Sequence, residues 1–479
     1  METRTARVNE DWLAVWIGTL VFVLALGPFI GVDLLGWAVK TAIWTDPLKA
    51  LGAATPGSVP GIVALLLTYA FLTLLMAAGA KALGAPVGRF VKGFTAVFVL
   101  SYLSWFLGSW AYIAATPNEL EKIGIAFSLN LTSEAGFIIA LLLGLVVGNF
   151  FPALAGALKE AIRPELYVKT AIVILGGYLG VTAAEKIGLA TSVMFSGLCA
   201  IVGTYLIFWA FVYFVARRYF RFSREWAAPL ASGISICGVS AAIATGSAIR
   251  ARPVVPVMVS SLVVIFAVVE LLILPFLAQT VLGSEPLVAG AWMGLAVKTD
   301  GAAVASGAIT DSLILAKASA EQGVQYQPGW IMGTATTVKV FIDVFIGVWA
   351  FVLAWIWAAK IEPREGDRVQ AGEIWQRFPK FVLGYMGTFL LILLIGLAAA
   401  HLIGAAKSAM GQANVFRGIF FAMTFFTIGV VSNFRKLWQE GIARLALVYV
   451  LCLFGFIIWI GLGIAWLFFH GIRPPIVGE

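Results

Sequence analysis

Thirteen long apolar runs divide the chain. They fall at about residues 12–31, 60–81, 93–115, 134–151, 166–184, 190–216, 227–249, 255–283, 287–309, 329–358, 380–405, 414–434 and 441–470. Each approaches or exceeds the ~20 residues a helix needs to cross the hydrocarbon of a bilayer. They are continuously apolar rather than alternating, so they predict helices and not barrel strands. The predicted fold is an all-α polytopic membrane protein with about 13 transmembrane helices. Two connections are amphipathic: Pro117–Ser133, and Ile361–Phe378 with Arg364, Asp367, Arg368, Glu373 and Arg377.

The last ten runs form an internal repeat of five plus five. The fourth run of each set is rich in small and hydroxyl residues around glycine, from Ala231 to Ser247 and from Phe421 to Asn433. A basic pair follows each, Arg250 with Arg252 and Arg435 with Lys436. Five is odd, so the halves would lie inverted, and interrupted segments at matching positions of two halves point to a transporter site. The same small residues would also serve close helix packing. The expected organisation is extra helices and a linker over 1–133, a first repeat over 134–283 with a broken helix at 227–249, and a second over 284–479 with a broken helix at 414–434. The two broken helices are expected to cross.

Composition narrows the class. Of 479 residues 61% are hydrophobic and 12% charged, against about 25% charged in soluble domains. Mean hydropathy is +0.98. A soluble enzyme, a disordered chain and a nucleic-acid binder are excluded. The net charge of +8 reads as topology. With the N-terminus on one side, that side's loops carry about 18 Lys and Arg and the other side's about 9. The positive-inside bias then puts the N-terminus in the cytoplasm. Arg4 and Arg7 precede the first run with no cleavage signature after it, so a retained span is expected. Cys199, Cys237 and Cys452 lie inside apolar runs, and His401 and His470 are far apart. Neither a disulfide framework nor a metal site nor a cofactor is expected. With no acidic metal-binding cluster or His-rich motif, an integral-membrane enzyme is disfavoured and no catalytic residues are assigned.

Non-helical backbone at membrane depth survives only where it lines a cavity or is buried in protein. Gly233 and Gly238 allow a break near Ser235–Ser240. A half-helix starting there would offer free N–H groups to an anion, with Ser232, Ser235, Cys237, Gly238 and Ser240 around it. The second break, at Thr427, Gly429, Ser432 and Asn433, would face it. Ionisable residues inside spans are functional candidates by default. Lys298 supplies a counter-charge for an anionic substrate, and Asp300 a site for a coupling H⁺ or Na⁺. The alternative is that the two neutralise each other or neighbouring charges, although residues two apart on a helix do not face one another. Lys339 and Asp343, four apart, share a face and are either a coupling pair or a structural ion pair. Cross-pairing of Asp300 with Lys339 and Lys298 with Asp343 is equally open. Glu270, alone in an apolar run, is a proton carrier or lies near an interface. Lys169 and Arg417, near span ends, are expected to snorkel.

Several stretches resemble the YeiH-type sulfate exporter family of bacterial membrane proteins: Ala140–Asn149, Ser235–Thr245, Val297–Gly307 and Phe421–Asn433, within a similarity running over roughly residues 94–470. The family looks like a branch of the transporters related to bile-acid/sodium symporters and cation/proton antiporters. The resemblance implies inverted five-helix repeats, elevator-like alternating access, and export of sulfate or a related sulfur oxyanion. The family typically carries His-Glu-Val-Ala-Gln where this chain has Lys298-Thr299-Asp300-Gly301-Ala302. The expected partners are the bilayer and a small anion, with a homodimer compatible; the alternative function is a Na⁺/H⁺ antiporter.

Overall fold

The computed structural model describes residues 9–477 except 116, 130, 132, 134, 253, 362–374, 376–377 and 433–442. Asn433, Arg435, Lys436 and most of the 361–378 connection lie outside the described residues.

The chain is helical almost throughout. In order come α1 (Glu10–Ala25), a hairpin of β1 (Val39–Thr41) and β2 (Leu51–Ala53), α2 (Gly61–Ala82), α3 (Val87–Gly108), α4 (Ala135–Phe150) and α5 (Pro164–Glu185). Then follow α6 (Ile187–Arg218), α7 (Arg224–Ser235), α8 (Gly238–Ala248), α9 (Val254–Val281), α10 (Pro286–Ala296) and α11 (Asp300–Gln322). The last are α12 (Trp330–Ile361), α13 (Phe381–Ala398), α14 (Ile403–Val431) and α15 (Ala443–Phe469).

Among the described residues, ten helices are long and apolar enough to cross a membrane, and each falls on one of the apolar runs. Of the other runs, 134–151 ends in a 112° bend between α4 and the helix at Pro152–Ala161. The remaining two, 227–249 and 287–309, are interrupted helices, α7/α8 and α10/α11. The protein is an all-α, multi-pass membrane protein. The hairpin, paired Val39 to Ala53 and Thr41 to Leu51, is an element that three-residue strands leave no periodicity to predict.

Two compact units interleave along the sequence. One comprises residues 1–189, 315–325 and 380–431; the other comprises 190–314, 326–379 and 432–479. Each draws segments from both expected repeats.

In the first unit, α5 is the central helix, with most of its residues buried. Glycines let it pack backbone to backbone: a Cβ on Gly176 would lie 2.4 Å from the Tyr385 carbonyl oxygen, and one on Gly180 2.5 Å from that of Phe389. The same spacing recurs on α4, where Gly144 and Gly148 meet the carbonyls of Phe426 and Val430 on α14. Without a hydrophobic drive between helices in lipid, such close approach supplies the packing energy. Lys169 does not snorkel: it is 7% exposed and its ammonium donates to Asp11 at 2.8 Å, with Glu165 at 3.3 Å.

In the second unit, α10 is wholly buried, and its Gly290 and Gly294 pack on the carbonyls of Ile331 and Ala335 of α12. The Trp292 indole donates to the Ile458 carbonyl at 2.8 Å. Asp311 caps α12 by accepting from the N–H groups of Gly329 and Ile331 at 3.0 and 2.9 Å, a structural task for a buried acid at a helix N-terminus. Where α8 leads into α9, Arg252 grips Glu225 through two side-chain nitrogens and its backbone N–H. The guanidinium beside it holds the Glu225 carboxyl below the usual carboxylate range. A lowered folded-state value stabilises above the unfolded value and is lost as pH falls through the folded one. Because the pair is exposed, Arg252→Gln should lower stability only slightly. The difference from wild type in melting temperature should shrink as the solution is acidified.

Candidate functional site

The site forms where two interruptions meet in the second unit. In the first, Ser235 ends α7, Ile236 and Cys237 leave helical geometry, and Gly238 begins α8. In the second, α10 ends at Ala296, Val297 is extended, and α11 begins at Asp300. The Gly238 N–H donates to the Lys298 carbonyl at 2.5 Å, joining the two breaks. Gly238 is required there, since a Cβ would lie 2.2 Å from Val263 Cγ1 and 3.1 Å from that carbonyl oxygen.

Among the described residues, no second break falls in the expected 414–434 segment. The helix α14 runs unbroken through Thr427 and Gly429. The Thr427 hydroxyl donates to the Met423 carbonyl of its own helix at 2.7 Å. A Cβ on Gly429 would lie 2.4 Å from the Leu141 carbonyl oxygen, so this small-residue stripe serves helix packing. Thr427 belongs to the first unit and the two joined breaks to the second. Ser432, buried, follows the end of α14.

At each break the preceding half-helix exposes carbonyls at its C-terminal end, and the following half-helix exposes N–H groups at its N-terminal end. Two lysines meet the carbonyls. The Lys298 ammonium donates to the Leu295 carbonyl and lies 3.5 Å from that of Ser235. It also sits 5.2 Å from the centre of the Phe208 ring, a cation–π contact. Phe208 closes a π-helical turn, Thr204–Phe208, in α6. The Lys339 ammonium donates to the Ile236 carbonyl at 3.0 Å. Carboxylates meet the opposite ends. Glu270 Oε2 accepts from the Lys298 backbone N–H at 2.9 Å, and Oε1 accepts from the Tyr449 hydroxyl at 2.9 Å. Asp300, first residue of α11, sits at the positive end of that helix dipole. It accepts from the Cys237 thiol at 2.7 Å and lies 3.9 Å from the Lys339 ammonium.

Lys298, Lys339, Glu270, Asp300 and Asp343 are each at most 2% exposed. Of the pairings open at the level of sequence, Asp300 with Lys339 is formed. Lys298 contacts helix-end carbonyls and an aromatic ring. Both oxygens of Asp343 are buried without a hydrogen-bond donor. One Asp343 oxygen, one Asp300 oxygen and Cys237 Sγ lie within 4.8 Å of one another. A thiol with two carboxylates can share a proton or hold a cation. The Lys339 ammonium so close by opposes a multivalent metal. The cluster has two ammonium groups against three carboxylates, one negative charge in excess when all are ionised. A net charge in a low-dielectric interior is costly, so the arrangement favours uptake of one proton or monovalent cation.

The remaining candidates divide. The Ser232 hydroxyl is occupied by the Trp209 indole at 2.9 Å and the Thr245 hydroxyl at 2.6 Å. The Ser235 hydroxyl is buried and lacks a partner. Ser240 is half-buried in the first turn of α8. Sequence reasoning missed Tyr449 and Phe208. Both are aromatic residues in aromatic-rich apolar runs, and only their distant partners distinguish them.

Comparison with known proteins supplies the kinship. The family model described as "Conserved hypothetical protein 698" matches residues 92–449. A UPF0324 membrane protein of Nitrosomonas europaea is 41% identical over 477 residues, covering 98% of this chain and 97% of that one. A UPF0324 membrane protein of Streptococcus agalactiae is 27% identical over 371 residues, 77% of this chain and 95% of its own. An Archaeoglobus fulgidus protein is 48% identical over 171 residues, 31% of this chain and 91% of its own. No solved structure matches the chain. With a family model spanning most of its length and a relative matched end to end, the chain belongs to the UPF0324 membrane proteins, which are the YeiH-type family.

Proposed function

We propose that the protein is a secondary transporter of a small anion, with sulfate or a related sulfur oxyanion as first candidate, moved by elevator-like alternating access and coupled to protons. The observation that carries the reading is the meeting of two interrupted helices at a buried cluster with one negative charge in excess. Interrupted helices at membrane depth are how transporters build sites from backbone ends. The excess charge also argues for the coupling. As it stands the cluster repels an anion. Protons on Asp343 and on a second carboxylate would reverse its sign, leaving Lys298 and Lys339 to balance the substrate. Anion and protons would then bind together, which is symport. Lys298, 3.5 Å from the Ser235 carbonyl, is the counter-charge, and Ser235 brings an uncommitted hydroxyl. The charge bias of the loops supports a cytoplasmic N-terminus in a bacterial inner membrane.

A second reading is cation/proton antiport, favoured by the Cys237, Asp300 and Asp343 donor set. Radiolabelled sulfate flux into proteoliposomes, with and without a pH gradient, separates the two. Flux driven by the gradient, and lost in Asp343→Asn, is the expected result. Sodium-dependent proton movement without sulfate flux would establish the antiporter instead.

A further inference from the structure

One end of the second unit is strongly basic. The ends of α6, α8 and α12 and the starts of α7 and α15 gather there. After α6, the Phe222 carbonyl accepts from the Arg217 guanidinium, and the Phe220 carbonyl accepts at 3.0 Å from Arg444 in the first turn of α15. Arg252, after α8, grips Glu225 in the first turn of α7. Ala251 and Ile361, beyond α8 and at the end of α12, pack on one cluster with Ala228 and Ile249. Among the described residues at this end, Glu225 is the one acid, and Arg252 neutralises it.

Basic loops orient a membrane protein, and a count of Lys and Arg is all that orientation needs. Three features here go beyond a count. First, the loop 219–223 is held in shape. Arg217 and Arg444 are each committed to one of its carbonyls, Arg444 also lies 5.7 Å from the centre of the Phe222 ring, and the Phe222 N–H donates to the Ala216 carbonyl at 3.0 Å. That leaves Arg218, Arg221 and Arg224 exposed on a shaped loop, and among the described residues none of the three has a carboxylate partner. Second, among the described residues, those other than glycine with left-handed backbone are Arg221 and Arg250, both at φ 55° and both just past a helix end on this face. Glycine takes that conformation at less cost, so the chain carries a guanidinium where the backbone favours no side chain. Third, an apolar track leads to the charges. Phe214 and Arg218 are four apart on α6 and share a face. Phe214 is 53% exposed, and its ring meets that of Tyr219, 71% exposed, edge-on at 5.9 Å.

We infer that this face binds an anionic phospholipid, its phosphate taken by Arg218, Arg221 and Arg224 and an acyl chain laid along Phe214. Guanidinium groups meet phosphate oxygens two at a time. Exposed aromatic rings beside a helix end sit at the headgroup level of a bilayer, which is where Tyr219 stands. Anionic headgroups attract basic segments that flank a span. The site is separate from the buried cluster, and its readout is binding, which needs no flux.

The test is thermal shift of the full chain in detergent with phosphatidylglycerol, phosphatidylcholine or inorganic phosphate added. Phosphatidylglycerol should raise the melting temperature above the level that phosphatidylcholine reaches at the same lipid ratio. Inorganic phosphate should not reproduce that excess. The excess should fall by at least half when Arg218→Gln, Arg221→Gln and Arg224→Gln are combined. It should be unchanged when Lys81→Gln, Arg89→Gln and Lys92→Gln are combined, which removes the same charge from exposed positions of the first unit. Arg224→Gln alone, away from the left-handed position, should lose part of the excess and keeps the test decisive if the first triple variant does not fold. Equal shifts from the two lipids, a phosphate shift as large as that of phosphatidylglycerol, an unchanged excess in the arginine variants, or an equal loss in the first-unit variant would overturn the assignment.

Discussion

Lys339→Met should destabilise the protein by about 3–5 kcal/mol at neutral pH, the cost of leaving buried charge uncompensated. Lys339 is the ammonium nearest Asp300, at 3.9 Å, and the donor to the Ile236 carbonyl at the end of α7. Its loss leaves three carboxylates facing one ammonium and returns an orphan carbonyl to the break. The check is thermal unfolding in detergent, with a second variant that separates charge from fold. Lys339→Met combined with Asp300→Asn restores the original charge balance and should recover most of the lost melting temperature. Transport should stay absent in both. If the double variant is no more stable than the single one, the cluster is not governed by its net charge.

The second large effect lies in the other unit. Gly144→Leu should cost about 1–3 kcal/mol or more, because overpacking is relieved only by moving what it strikes. A Cβ there would lie 2.1 Å from the Phe426 carbonyl oxygen and 3.0 Å from Gly429 Cα. Both are backbone atoms, so no rotamer change makes room, and α4 and α14 must separate. Gly156→Ala is the control: nothing lies within 4 Å of its Cβ position, and a change within about 0.5 kcal/mol is expected. Equal melting temperatures for Gly144→Leu and wild type would refute the packing account.

The spans were legible because each is a long apolar run, a signal that needs no knowledge of neighbours. The first break was legible too, since Gly233 and Gly238 bracket hydroxyl residues inside an otherwise apolar stretch. The partner break was misplaced for a physical reason. A stripe of small residues marks either an interruption or a close helix contact, and what lies across it decides. Across Gly429 lies the Leu141 carbonyl, nearly three hundred residues away in sequence, and no local pattern reports it. The true break, at Val297–Thr299, was signalled instead by charge, with Lys298 and Asp300 too close along the chain to face each other on one helix. The five ionisable residues were found by their expense in a bilayer, and all five gather in one cluster. Tyr449 was not found, because its role exists only through Glu270.

The two lysine ammonium groups sit against the carbonyl ends of broken helices, where a loosely held inorganic cation would otherwise be the natural neutraliser. Here the neutraliser is tethered. A tethered ion has no dissociation constant: it cannot be diluted away, exchanged for a competitor or depleted by a change of medium. The joint between the two breaks therefore needs no ion from the medium to neutralise its carbonyl ends.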